Sequence, residues 1–124
     1  MSGFDPLVSI VDDDAHARAA LLGLVRSFDF AVAGFSGAEE FLRSDAVERS
    51  RCLIADMRMP GITGLELYSR MVDRGTMIPT ILITAFPDPD LRRRALRIGI
   101  ADVVAKPPDP EALRRSILRA LERR

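Results

Sequence analysis

A doubly wound α/β fold, in which helices cover both faces of a five-stranded parallel sheet, is what this sequence predicts, and three observations predict it. Five short apolar runs, at 7–11, 30–35, 52–55, 79–83 and 101–105, alternate strictly with stretches whose apolar residues recur at helical spacing. Cys52–Ala55 and Pro79–Ile83 are continuously apolar, as expected of strands buried on both faces of a parallel sheet. Residues that cannot extend a strand follow the runs, among them Asp12-Asp13-Asp14, Met59-Pro60-Gly61 and Lys106-Pro107-Pro108.

Taken in order, Leu7–Val11 is the first strand. Ala15 to Phe28 follows as a helix with Ala17, Ala20, Leu21, Leu24, Val25 and Phe28 in one stripe and Asp14 as N-cap. Phe30 to Phe35 alternates loosely and makes a weaker strand. Ser36-Gly37-Ala38-Glu39 has the form of a capping box opening a short helix to about Ala46. Cys52–Ala55 delivers Asp56 to the carboxyl end of the central strand. Gly64 to Arg74 is then helical, burying Leu65, Leu67, Tyr68, Met71 and Val72, and Gly75 ends it. Pro79 to Ile83 ends at Thr84. Asp88 or Asp90 starts a helix to Ile98, stopped by Gly99. Ala101–Ala105 is the last strand, and Pro110 opens a final helix whose core face is Leu113, Ile117, Leu118 and Leu121.

The 124 residues read as one domain, 1–124, without linker, repeat or low-complexity segment. A chain of this length buries about two-thirds of its unfolded surface and needs no staples. Cys52 is the single cysteine and His16 the single histidine, which excludes an internal disulfide and a zinc site and places Cys52 in the core. No run is long enough for a membrane span and no signal segment opens the chain, so it reads as cytosolic. The 18 basic and 18 acidic residues balance, which argues against a general nucleic-acid surface. That balance hides a gradient: residues 1–62 carry 10 acids and 6 bases, residues 63–124 carry 8 and 12. Of the 18 basic residues, 17 are Arg, so Lys106 stands out as a place where a compact ammonium is wanted.

Strict alternation with right-handed crossovers puts the carboxyl ends of all strands on one edge of the sheet. With the strand order 2-1-3-4-5, Asp12, Asp13, Asp56, Thr84 and Lys106 gather there from four places in the chain. Read alone, Asp56 is more readily the start of a polar turn. Read together, three acids face one hydroxyl and one ammonium. Crowded carboxylates repel unless a cation lies between them, and oxygen-only ligands favour Mg²⁺ or Mn²⁺. Such an open site invites a phosphoryl group: Thr84 can donate to one oxygen, Lys106 can neutralise another, and Asp56 is the nucleophile.

On these motifs, Val11-Asp12-Asp13-Asp14, Asp56-Met57-Arg58-Met59-Pro60 through Gly64, Thr84-Ala85 and Lys106-Pro107, the chain resembles a response-regulator (CheY-like) receiver domain of two-component signalling over its whole length. Ile10 to Leu22 and Phe35 to Leu42 resemble the receivers of nitrogen-fixation regulators. The resemblance implies a phosphoacceptor switch rather than an enzyme. It makes Asp56 the phosphorylated residue, has Asp13 and Asp56 bind Mg²⁺ directly with the backbone carbonyl of Arg58, and has Asp12 act through a coordinated water. It also implies that Thr84 and Lys106 hold phosphoryl oxygens and that the Lys106–Pro107 bond can be cis. The implied donor is a phosphohistidine on a sensor histidine kinase or phosphotransfer protein. His16, in the first turn of a helix, is expected to be a surface or docking residue instead.

Receivers usually carry an aromatic three residues before the lysine, which swings inward as the conformational change when the threonine moves toward the phosphoryl group; here that position is Val103, which puts the usual readout in question. The loop from Ala85 to Asp90, with Phe86, is the alternative carrier of the change, unless Phe86 simply packs over the helix. Arg92, Arg93, Arg94, Arg97, Arg114, Arg115 and Arg119 read as solvated faces. Their functional reading is a docking or homodimer surface on the fourth helix, fifth strand and fifth helix. No output domain follows Arg124, so the chain is a lone receiver or the receiver piece of a longer regulator, signalling to a downstream protein or output domain. Two other classes bear on it. A receiver-like module that docks partners without phosphorylation is argued against by the intact acids, threonine and lysine. A metal-dependent phosphatase would need an acid/base and a pocket that the Asp12-to-His16 segment does not supply.

Overall fold

The computed structural model describes residues 5–122. Strands β1 (Leu7–Val11), β2 (Ala31–Phe35), β3 (Ser50–Asp56), β4 (Thr80–Thr84) and β5 (Asp102–Ala105) form one parallel sheet in the order β2-β1-β3-β4-β5. The connecting helices are α1 (Ala15–Arg26), α2 (Ala38–Leu42), α3 (Ala46–Arg49), α4 (Gly64–Asp73), α5 (Pro89–Ile98) and α6 (Pro110–Glu122). The expected sheet order is the observed one. The expected second helix, to about Ala46, ends at Leu42, and a further short helix, α3, follows it, so the fourth and fifth helices of the sequence are α5 and α6.

The period-two alternation of the strands divides the core between the two faces. Val8, Ile10, Cys52, Ile54, Ile81 and Ile83 pack with Leu21 and Val25 of α1 and with Leu113 and Ile117 of α6. Val11, Leu53, Ala55 and Leu82 belong to the opposite core, with Phe41 of α2, Val47 of α3, Leu67 and Met71 of α4, and Leu91 of α5. Every residue of β4 is buried, which explains its unbroken apolar run, whereas β2 lies at the edge, only partly buried, which explains its loose one.

Helix boundaries follow local chemistry. The Asp14 side chain accepts from the N–H groups of His16 and Ala17, and Asp88, rather than Asp90, caps α5 by accepting from Asp90 N at 2.9 Å. Gly99 closes α5 at φ 116°, and a Cβ there would run into the Tyr68 hydroxyl, so both backbone and space favour glycine. The structure also corrects several expectations. Helix α1 ends at Arg26 rather than Phe28, and Asp29, at φ 74°, turns the chain toward β2. Ser36 pairs through its N–H and Oγ with Glu40, both at 2.8 Å, and not with Glu39, so the expected capping box is absent and Gly37 is the N-cap. Ser44 then interrupts the helix by donating to the Phe41 carbonyl and accepting from Ala46 N. Ala20, Val72 and Leu118, placed in core stripes by spacing, are exposed. In α6 the buried stripe is instead Leu113, Ser116, Ile117 and Ala120, a tighter fit to 3.6 residues per turn.

Cys52 is wholly buried in β3, and burial pushes its thiol from the ordinary 9.0 up to about 12. A raised folded value means that burying the neutral thiol stabilises fully below pH 9 and is lost as pH rises from there toward 12. Iodoacetamide at pH 8 should therefore leave the native protein unmodified and label it once in denaturant. Labelling of the native protein at the rate of a free thiol would show that β3 opens.

Candidate functional site

The carboxyl ends of β1, β3, β4 and β5 meet at one edge, and the chain leaving them stays tied to its neighbours. Asp12 N donates to Phe35 O at 3.1 Å, Met57 N to Ile83 O at 2.9 Å and Lys106 N to Thr84 O at 2.8 Å. Val11 pairs with Ala55 in register, so Asp12 and Asp56, each one residue on, leave the sheet side by side. Asp12, Asp56 and Thr84 are buried, Lys106 is half-buried and Asp13 is exposed.

Each of Asp12, Asp13 and Asp56 offers one carboxylate oxygen, and the three oxygens lie within 4.8 Å of one another. Lys106 Nζ bridges the two buried acids, donating to Asp12 Oδ2 at 3.0 Å and to Asp56 Oδ2 at 3.1 Å. Their other oxygens are held by backbone: Asp14 N donates to Asp12 Oδ1 at 3.0 Å, and Arg58 N to Asp56 Oδ1 at 3.2 Å. Burial raises the Asp56 carboxyl above its ordinary value, the nearby Asp12 charge adds to this, and the bonds from Lys106 and Arg58 N oppose it. For Lys106 burial acts downward, but the bonds to Asp12 and Asp56 outweigh it and its ammonium is held above its usual range. Three carboxylates against one ammonium leave an excess of negative charge. With oxygen donors only and one acid open to solvent, the residues fit a hard divalent cation such as Mg²⁺ or Mn²⁺.

Thr84 stands beside this cluster with its Oγ1 accepting from Phe86 N at 3.1 Å. Phe86 is 68% exposed, and the Arg58 guanidinium carbon lies 5.6 Å from its ring centroid. The ring thus reaches the loop after Asp56. Val103 is buried in the core, and its carbonyl accepts from Arg92, which also pairs with Asp102 at 2.9 Å. The Lys106–Pro107 bond is cis. His16 is exposed at the start of α1. Of the arginines singled out, Arg93 pairs with Asp90, Arg114 and Arg115 with Glu111, and Arg119 with Asp102.

Three further contributors lie outside the set of site residues read from the sequence. Arg18 Nη1 donates to the Asp12 carbonyl at 2.7 Å, a side-chain-to-backbone bond without a sequence signature. Gly64 packs so closely that a Cβ would sit 2.7 Å from the Asp56 carbonyl oxygen. Thr63 and Glu66 form a reciprocal capping box that fixes the start of α4, and here the signal, Thr-x-x-Glu, is legible.

A family profile for the response regulator receiver domain matches residues 8–118. The chain belongs to that family. The receiver is 34% identical over 116 residues to the transcriptional regulatory protein FixJ of Azorhizobium caulinodans, across 94% of this chain and 55% of that protein. It is 33% identical over 117 residues to nodulation protein W of Bradyrhizobium diazoefficiens, across 94% of this chain and 52% of that protein. The crystal structure of FixJ-N superposes with a TM-score of 0.84 at 33% identity, covering 95% of this chain and 94% of that one. The response regulator StyR gives 0.86 at 37% identity, covering 95% of the receiver and 60% of StyR. The receiver thus spans about half the length of the curated relatives it matches. Among the described residues, no helix is long and apolar enough to cross a membrane.

Proposed function

We propose that this receiver is a Mg²⁺-dependent phosphoacceptor switch in which Asp56 takes a phosphoryl group from a phosphohistidine of a sensor histidine kinase or phosphotransfer protein. The observation that carries this reading is the Lys106 ammonium held between two buried carboxylates, beside an exposed third. Asp13, Asp56 and the Arg58 carbonyl would hold Mg²⁺, with Asp12 acting through a coordinated water. The ion, for which Mn²⁺ can substitute, would supply the positive charge that lets carboxylates and phosphoryl oxygens share one space. An Asp56 carboxylate oxygen attacks phosphorus; the O–P bond forms as the N–P bond of the phosphohistidine breaks, and its electron pair returns to the imidazole. Lys106 turns one of its donors to a phosphoryl oxygen, and the Thr84 hydroxyl donates to another. A module that docked partners without phosphorylation would have no use for this arrangement.

The rest of the chain fits a cytoplasmic signalling domain, 1–124, that reports to a downstream protein or output domain. Homodimerisation through α5, β5 and α6 belongs to the same reading; direct nucleic-acid contact does not. To map the acceptor, the protein is incubated with acetyl phosphate and Mg²⁺ and then reduced with borohydride, which converts an aspartyl phosphate to homoserine. Peptide sequencing should find homoserine at position 56. Its appearance only at another aspartate would overturn the assignment.

The signal leaves the site through the loop between β4 and α5, which runs from Ala85 only to Asp88 because α5 begins at Pro89. If the Thr84 hydroxyl moves toward the phosphoryl group, its bond with Phe86 N cannot stay as it is, and Phe86 draws the loop and Arg58 along. In amide chemical shifts of α5 recorded with and without beryllofluoride, Phe86→Ala should diminish the response and Val103→Ile preserve it. A full response in Phe86→Ala together with its loss in Val103 variants would contradict the loop route.

A further inference from the structure

We infer that Arg18 is a positioning residue for the acidic turn after β1: by holding the Asp12 carbonyl, its guanidinium fixes the direction of Asp13 and so sets the affinity of the site for a divalent cation. The inference rests on the Mg²⁺ reading above.

Three residues, Asp12 to Asp14, separate the end of β1 from the start of α1. Asp12 is fastened at nearly every polar atom: its N–H to Phe35 O, Oδ1 to Asp14 N and Oδ2 to Lys106 Nζ. These bonds fix its side chain and its link to β1. The link onward to Asp13 is held through the carbonyl, by Arg18 Nη1 at 2.7 Å. A planar peptide carries the Asp12 carbonyl and the Asp13 N–H in one rigid unit, so anchoring the oxygen fixes the plane from which Asp13 departs. Asp13 is the exposed member of the three-acid cluster, and that plane sets the position of the Cα from which its side chain starts. Helix α1 is capped at its start by Asp14 and packed further along through Leu21 and Val25, so Arg18 reaches back from a rigid base.

Charge and position predict opposite signs. Arg18 is a cation beside a cation site, so removing it for electrostatic reasons alone would tighten metal binding. Removing it as the holder of the Asp12–Asp13 peptide loosens binding, because groups that orient metal ligands typically matter about tenfold or more in affinity.

The experiment is calorimetric titration of the full chain with Mg²⁺, and separately with Mn²⁺, for the wild-type protein, Arg18→Met and Arg18→Lys. Amide hydrogen exchange is measured at Asp13 and Asp14 in EDTA alongside. The expected result is affinity about tenfold weaker in Arg18→Met, partial recovery in Arg18→Lys, which can still donate to the carbonyl, and faster exchange at both amides in Arg18→Met. Circular dichroism should show all three folded at the titration temperature, which separates positioning from loss of structure. Wild-type-like or tighter binding in Arg18→Met would overturn the inference and leave the metal reading standing. No binding by the wild-type protein would overturn both.

Discussion

Lys106→Ala should leave the protein in EDTA about 3 kcal/mol less stable than the wild type, and Mg²⁺ should restore most of the loss. The ammonium bridges Asp12, which is wholly buried, and Asp56, which is nearly so. Truncation leaves two carboxylates facing each other where water reaches poorly, and breaking a buried pair from one side typically costs about 3–5 kcal/mol. The partial exposure of Lys106 places the expectation at the low end of that range. A divalent ion in the three-acid cluster returns positive charge to the gap, so urea denaturation with and without Mg²⁺ should show a variant whose stability depends on the metal more than the wild type does. Equal stability of the two proteins in EDTA would mean that Lys106 is not what balances the buried acids.

Gly64→Ala is the second large effect, and here competing magnitudes decide the sign. Alanine in a helix is favoured over glycine by up to about 1 kcal/mol, so on propensity alone the substitution would stabilise the first turn of α4. The added methyl would lie 2.7 Å from the Asp56 carbonyl oxygen and 2.7 Å from Leu82 Cδ2. Leu82 can shift, but the carbonyl belongs to β3, whose Asp56 stands in register with Ile83 of β4. Overpacking of this kind costs roughly 1–3 kcal/mol. The expected outcome is a net loss of about 1–2 kcal/mol, accompanied by weaker Mg²⁺ binding, because the residue pushed aside is the proposed acceptor. A variant as stable as the wild type, with unchanged Mg²⁺ affinity, would show that the backbone at Asp56 yields freely.

These two sites differ in how far they can be read from sequence. Lys106 is legible: it is the only lysine in an arginine-rich chain, and topology carries it to the same edge as Asp12, Asp13, Asp56 and Thr84. Gly64 is legible as a helix start but not as a contact, because which carbonyl lies against it depends on how α4 settles on β3. The same division runs through the fold. Buried strands announce themselves because both faces are apolar, as in Ile81–Ile83 of β4. The break between α2 and α3 does not, since it depends on Ser44 trading helix geometry for bonds to Phe41 and Ala46, and serine makes that trade only in context. Ser36 shows a related limit: Glu39 and Glu40 both follow it at plausible spacing, and Glu39 turns instead to Arg70 of α4, a partner 31 residues away. Arg18 lies beyond sequence reading altogether, because its partner is a backbone oxygen.

The phosphoacceptor switch requires that Asp56 accept a phosphoryl group in a metal-dependent reaction. The direct measurement is an intact-mass spectrum after incubation with acetyl phosphate and Mg²⁺, beside Asp56→Asn and an EDTA control, with beryllofluoride binding followed in parallel to capture a short-lived acyl phosphate. The expected result is the gain of one phosphoryl group by the wild-type protein, and none by Asp56→Asn or in EDTA. An equal gain by Asp56→Asn, or neither a mass gain nor beryllofluoride binding by a wild-type protein that binds Mg²⁺, would contradict it.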